Sequence, residues 1–348
     1  MFKDQYGMKY ITGIIFFTGL LQCAIGQDSE RYARPFFTSA GKNRVAVNTV
    51  YNYHVQAKDS AGYPLSFLAT KLPEWLRFDS ASAIISGRTD KAGQYTIEVE
   101  ASNQRSTFKQ RFILTVYNNK TSNILCLGNS ITNGTSSYNS YRRALWQMLH
   151  QNNYNFDLIG SWSSHHMGGE VPDPDFDMDH DGHSGWNFAD IFHPPSWDSV
   201  RGNINEWLKS YKPDIVLLEL GTNDVFQCRS VNDIHKDFEE LVKVLRKKNP
   251  SVKIFVAQIP PLGKQWATQK LCGNDIDYGQ AILQLNKALA GFCATYNSKV
   301  SPLIVVDQYS GLNPSNEMYD DIHPNEAGEK KMAEKWFESI HKYISKLK

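Results

Sequence analysis

What the chain lacks narrows it first. Lysine and arginine together number 37 against 36 aspartates and glutamates, a net charge of +1. So even a balance gives no field to gather nucleic acid or to hold an anionic membrane surface. An alternating basic and aromatic groove is also missing. The apolar stretch Ile11 to Ile25 is too short to read as a bilayer span. Cysteine is scarce, at five in 348 residues. His165, His166, His180 and His183 match no compact tetrahedral zinc set, so no metal and no cofactor are expected. There is no internal repeat and no low-complexity tract. What is left is a chain of ordinary composition, longer than one core usually covers, for which two domains are the natural expectation.

Residues 1–26 stand apart. Lys3 and Lys9 precede the apolar stretch, and Ala24-Ile25-Gly26 supplies small residues for cleavage, the pattern of a secretory signal peptide. Cys23 would invite lipidation, but Gln22 occupies a position where a small residue is needed. The expected location is therefore extracellular or periplasmic, with no stable membrane insertion after cleavage. Export permits disulfides, and the four cysteines that remain allow three full pairings. Cys228 and Cys272 fall in loops and could pair. Cys126 reads as a buried thiol in a strand, and Cys293 lies in a helical pattern.

From residue 38 to 117 the texture is one of short alternating runs broken by turn signals, as in Tyr51 to Ala57, Gly93 to Ala101 and Phe108 to Val116. That suits a small all-β sandwich. Leu72-Pro-Glu-Trp-Leu76 and Ile85-Ser-Gly87 resemble elements of the Ig-like and cadherin-like modules appended to secreted proteins, which implies a spacer or a glycan-binding role. Asn118 to Ser122 is a polar linker carrying a glycosylation sequon at Asn119. A second sequon at Asn133 would set a glycan over the site described next, and is read as chance.

From 123 to 348 strand and helix patterns alternate. Strands are expected at Ile124–Leu127, Phe156–Gly160, Ile215–Leu220, Lys253–Ile259 and Leu303–Asp307, with helices over Asn139–Asn152, Val231–Lys248, Asp277–Tyr296 and Asn325–Lys346. This is a three-layer α/β/α domain of flavodoxin-like style built on a mainly parallel sheet. Its first strand runs into Gly128-Asn129-Ser130, so Ser130 sits at a strand's C-terminal end, the edge where open α/β sheets bind ligands. Asp214 to Leu220 likewise ends in Gly221-Thr-Asn-Asp224. Near the C-terminus, Asp320-Asp-Ile-His323 spaces a carboxylate to hold an imidazole facing a serine.

These residues resemble the blocks of the SGNH, or GDSL, hydrolase superfamily: Ser130 in the first, Gly185 in Gly182-His-Ser-Gly-Trp186, Asn223 in the third, and Asp320 with His323 in the last. The resemblance implies a serine nucleophile activated by His323, which Asp320 orients. It also implies an oxyanion hole made by the N–H groups of Ser130 and Gly185 and the Asn223 amide. The first block departs from the usual Gly-Asp-Ser: Asn129 keeps the acceptor that a turn needs and loses the charge. Tyr141 to Trp146, Phe156 to Ser161 and Asp179 to Trp186 look like the acetyl xylan esterases of carbohydrate esterase family 3. That implies removal of O-acetyl groups from a plant polysaccharide or oligosaccharide, with Trp186 and Trp162 as a sugar platform. A GDSL lipase or thioesterase, and a non-catalytic glycan-binding or adhesion protein, are the competing functions. The aspartates at 173, 175, 177, 179 and 181 begin like a calcium loop. Phe188 stands where the bidentate glutamate belongs, which leaves a solvated acidic loop as the expectation.

Overall fold

The computed structural model describes residues 34–165, 171–273 and 276–345. The signal segment expected over 1–26 and His166 lie outside these residues. The N-terminal part forms β1 (Pro35–Phe37), β2 (Arg44–Ala46), β3 (Tyr51–His54), β4 (Ala57–Asp59), β5 (Ser66–Lys71), β6 (Leu76–Asp79), β7 (Ile84–Gly87), β8 (Gly93–Ser102) and β9 (Thr107–Tyr117). A four-stranded sheet of order β2-β9-β8-β5 faces a three-stranded sheet of order β3-β7-β6, while β1 and β4 pair separately. Alternation explains the packing. On β8 the residues Ile97, Val99 and Ala101 are buried, and Ile97 and Val99 meet Tyr51, Ile85 and Leu114 in a common core.

The C-terminal domain carries β10 (Ser122–Gly128), β11 (Phe156–Ile159), β12 (Asp181–Gly182), β13 (Ile215–Glu219), β14 (Lys253–Ala257) and β15 (Leu303–Val306). These strands are parallel, in the order β11-β10-β13-β14-β15, and β12 pairs with the last residues of β10. This is the flavodoxin-like doubly wound order, with helices on both faces. Because side chains alternate along β10, Leu125 and Leu127 enter one core while Ile124 and Cys126 enter the other. The first core is closed by the helices Val231–Lys248 and Tyr278–Tyr296, and the second by Tyr141–Gln151 and Glu326–Ser345.

Helix starts follow their caps. The Ser230 hydroxyl accepts from the Asp233 N–H at 3.2 Å and the Asp277 carboxylate from the Gln280 N–H at 2.8 Å. A further helix, Ile204–Ser210, was not expected from the sequence, although Asn203 caps it and Ile204, Trp207 and Leu208 bury its inner face.

The sandwich seats against the starts of β10 and β11. Arg44 pairs with Asp157 and donates to the Asn123 side chain at 2.9 Å, Asn43 donates to both Asp179 oxygens at 2.8 and 2.7 Å, and Gln94 reaches the Phe156 carbonyl at 3.3 Å. The opposite edge of the sheet, where β10 and β13 end, is left open.

Candidate active site

At that open edge β10 stops at Gly128, and the chain turns into the short helix Ser130–Asn133. A Cβ at residue 128 would lie 2.6 Å from the Glu219 carbonyl oxygen and 2.2 Å from the Thr132 hydroxyl, so only glycine lets the turn pack on β13. The Asn129 side-chain oxygen caps the helix by accepting from the Ile131 N–H at 2.8 Å. An aspartate would serve that acceptor role equally, which is why the turn keeps its form with an uncharged residue here.

The segment after β15 brings the far end of the chain to the same point. His323 Nδ1 lies 2.8 and 3.0 Å from the two Asp320 oxygens, and His323 Nε2 lies 2.7 Å from Ser130 Oγ. Burial raises the Asp320 carboxyl, but the backbone N–H and ring of His323 more than offset it, and the pKa falls below the usual carboxylate range. An ionised carboxylate only accepts, so Nδ1 carries the proton and Nε2 is free to accept from the Ser130 hydroxyl. Tyr138 stacks on the imidazole with centroids 5.8 Å apart, fixing its plane.

Gly185 and Asn223 arrive from two other loops. The His183 N–H donates to the Gly128 carbonyl at 2.9 Å, tying the Gly185 loop to the end of β10. The His183 ring stacks against both Trp186 and Trp207, with centroids 4.2 and 4.7 Å away. Gly185 has φ +81, in the region where a side chain is strained. The Asn223 amide donates to the Trp186 carbonyl at 2.8 Å, which aims the group and leaves its second N–H.

Ser130, Gly185, Asn223 and His323 line one cavity of about 390 Å³, whose other walls include Tyr138, His165, Phe226 and Ile322. The structure thus brings Ser130, Asp320, His323, Gly185 and Asn223 together. None of the four further wall residues was singled out for this site in the sequence, because turns, loops and a five-residue helix carry no periodic signal.

Two sequence expectations need correction. Trp186 cannot offer a face to a sugar: it is 0% exposed, donates from Nε1 to Asp198 at 3.1 Å and packs in the main core. Trp162 is half-buried with the Arg201 guanidinium 3.5 Å from its ring centroid, so one face is already taken. The run of aspartates is not a solvated loop either. Asp177 and Asp181 are buried, Asp175 is held by Arg143 in two hydrogen bonds of 2.7 and 2.8 Å, and Asp179 by Asn43.

Burial pushes Asp181 up to about 7, against hydrogen bonds from Ser161 and Tyr211 that lower it. His180 is pushed well down by burial and then by Arg142, which keeps it neutral: its Nδ1 accepts from the Gly182 N–H at 2.8 Å and its Nε2 faces the Ser164 carbonyl at 2.9 Å. Among the described residues no three His, Cys, Asp or Glu side chains converge as a metal site requires. No helix among them is long and apolar enough to cross a membrane.

The model of the GDSL-like Lipase/Acylhydrolase family matches residues 126–331, and that of the "Putative Ig domain" matches 34–117. A multidomain esterase of Ruminococcus flavefaciens is 32% identical over 235 residues, covering 64% of this chain and 28% of that protein. The chain therefore spans little more than a quarter of that relative's length. Two solved structures share the fold. A family 3 carbohydrate esterase from Clostridium thermocellum has a TM-score of 0.51 at 27% identity, over 66% of this chain and 99% of the other. An acetyl esterase mutant crystallised with acetate ion has a TM-score of 0.52 at 26% identity, over 66% and 100%.

Proposed function

Because this chain belongs to the GDSL-like Lipase/Acylhydrolase family, we propose that it is a serine esterase that removes O-acetyl groups from carbohydrate. The observation that carries this reading is the run from Asp320 through His323 to Ser130 Oγ, with distances of 2.8 and 2.7 Å, opening into a cavity that Gly185 and Asn223 also line. In the proposed reaction Ser130 Oγ attacks the acetyl carbonyl carbon while its proton passes to His323 Nε2, and Asp320 stabilises the resulting imidazolium. The carbonyl oxygen takes up the negative charge. The N–H groups of Ser130 and Gly185 and the Asn223 amide are the donors assigned to it.

Collapse of this intermediate breaks the ester C–O bond, and the departing sugar oxygen takes the proton from His323. Water then attacks the acetyl-enzyme with His323 again as base, releasing acetate and restoring Ser130. Two structural relatives, an acetyl esterase and a family 3 carbohydrate esterase, support the acetyl and carbohydrate halves of the proposal. The disulfide between Cys228 and Cys272 supports an oxidising compartment, and with it the expected export.

The test is hydrolysis of p-nitrophenyl esters of two to eight carbons and acetate release from acetylated xylan, each by wild type and Ser130→Ala. Acetyl should be preferred, with the variant slower by at least about 10³-fold. Preference for longer chains would make the protein a lipase or thioesterase. Equal rates in the two proteins would end the serine mechanism.

A further inference from the structure

With Trp186 buried and one face of Trp162 covered by Arg201, the residues bordering the cavity offer a different aromatic. Trp197 lies in the 3-10 segment Ser196–Arg201 and is 62% exposed. A Cβ built on Gly185 would sit 3.3 Å from its Cη2 and 3.6 Å from its Cζ2, so the indole borders the residue whose N–H is assigned to the oxyanion. The segment beneath the ring is pinned. Asp198 is buried and accepts from Trp186 Nε1 and Arg201 Nε, both at 3.1 Å, and the Arg201 carbonyl accepts from Trp207 Nε1 at 2.7 Å.

A ring of this area left in water on a rigid support is a preorganised binding surface, because little side-chain freedom remains to be lost when a ligand covers it. Tyr319 is also 62% exposed. It packs on Tyr138 with centroids 6.0 Å apart, and Tyr138 stacks in turn on His323. Exposed aromatic surface therefore borders Gly185 through Trp197 and, through Tyr138, packs near His323.

We propose that Trp197 is the platform for the pyranose ring of the acetylated saccharide, placing the sugar beside Gly185 so that its acetyl group enters the cavity at Ser130. This rests on the carbohydrate esterase reading above. The C–H face of a pyranose is apolar and its hydroxyls lie at the periphery, which matches a half-exposed indole at the edge of a polar site.

Binding is measured by calorimetry with acetylated xylohexaose and the Ser130→Ala chain, in which no hydrolysis intervenes. Adding Trp197→Ala should raise Kd about tenfold, whereas Trp197→Tyr keeps most of the affinity. In the active chain, Trp197→Ala should lower kcat/KM for the acetylated oligosaccharide, through KM, about tenfold more than for p-nitrophenyl acetate. Unchanged saccharide affinity, or equal losses on the two esters, would overturn the platform. Failure of the esterase reading looks different: wild type and Ser130→Ala would then cleave p-nitrophenyl acetate alike, whatever the calorimetry gives.

Discussion

Glu219 ends β13 with a fully buried carboxyl beside Asn129, and neither its two oxygens nor the Asn129 side-chain nitrogen closes a hydrogen bond of good geometry. Burial pushes this carboxyl well above the usual range, with Asn129 pulling the other way, and Tyr141 from the neighbouring helix is raised partly by its charge. Since the folded-state pKa exceeds the unfolded one, the group's contribution is complete below an unfolded pKa of about 4.3. It is lost as pH rises toward the folded value. Glu219→Gln keeps the shape without a proton to lose. Relative to wild type the variant should gain stability from pH 5 to pH 8, with a limiting slope of about 1.4 kcal/mol per pH unit. Urea unfolding at three pH values checks this; a pH-independent difference would mean that Glu219 titrates normally. Asn129 itself was legible as a departure from Gly-Asp-Ser that leaves the turn intact, but its buried acidic neighbour was not, because β13 reads as an unbroken apolar strand apart from that residue. The tryptophans show the same limit. Trp186 and Trp197 lie eleven positions apart in a loop-rich stretch, and no periodicity says which one the core takes.

Strands and helices were legible where their spacing was regular. Val231–Lys248 has the expected bounds, and the strand ends differ by a residue or two where polar positions stop the ladder. Ile204–Ser210 escaped because seven residues hold barely two turns of pattern. Chemistry fixed between elements is harder to read, as the cysteines show. Cys228 follows the helix Thr222–Phe226, and Cys272 lies beyond the helix Lys264–Ala267; the two are bonded across a sequence separation of 44. Both have positive φ, +57 and +44, so each sits in a tight turn that spacing alone does not reveal. Cys126 and Cys293 are buried free thiols, each pushed up to about 12 by burial. Closing a loop of this length limits the unfolded chain by about 4 kcal/mol in the chain-entropy model. The paired change Cys228→Ser and Cys272→Ser should lower unfolding free energy by an amount of that order, read from the urea midpoint and slope. Phe226 walls the cavity and packs on Trp266 and Tyr278, at 5.4 and 4.9 Å, so KM should rise more than kcat falls. Full stability in the double variant would show that the surrounding packing, not the crosslink, holds these loops.

At the scale of the molecule the sandwich and the site occupy different parts of the α/β domain, and no described residue before 118 lines the cavity around Ser130. That favours a module that supports or spaces over one that completes the site. Its attachment runs through carboxylates that composition could not place. Burial raises Asp157, with Arg44 lowering it; it raises Asp177 well above the usual range, with Asp179 and Asp157 adding to the rise; and it pushes Asp179 up to about 8, with Asp157 adding and Asn43 and Arg142 opposing. Thr115 from the sandwich also faces Asp157. Burial raises all three of these neighbouring acids, and Arg44 is the sandwich's compensating charge. Its side chain is 31% exposed, so its pairing with the 4% exposed Asp157 is worth less than a fully buried one. Arg44→Ala should then cost about 2 kcal/mol at pH 8. The cost shrinks at pH 5: without the guanidinium the folded-state pKa of Asp157 rises further above its unfolded value, so stability drains away as pH increases and returns as the carboxyl takes up a proton. Unfolding curves at the two pH values, with kcat on a small ester as the companion measurement, separate attachment from catalysis. Stability lost only at high pH with kcat intact is the expected pair; a matching loss of kcat at both values would mean that the sandwich bears on the site after all.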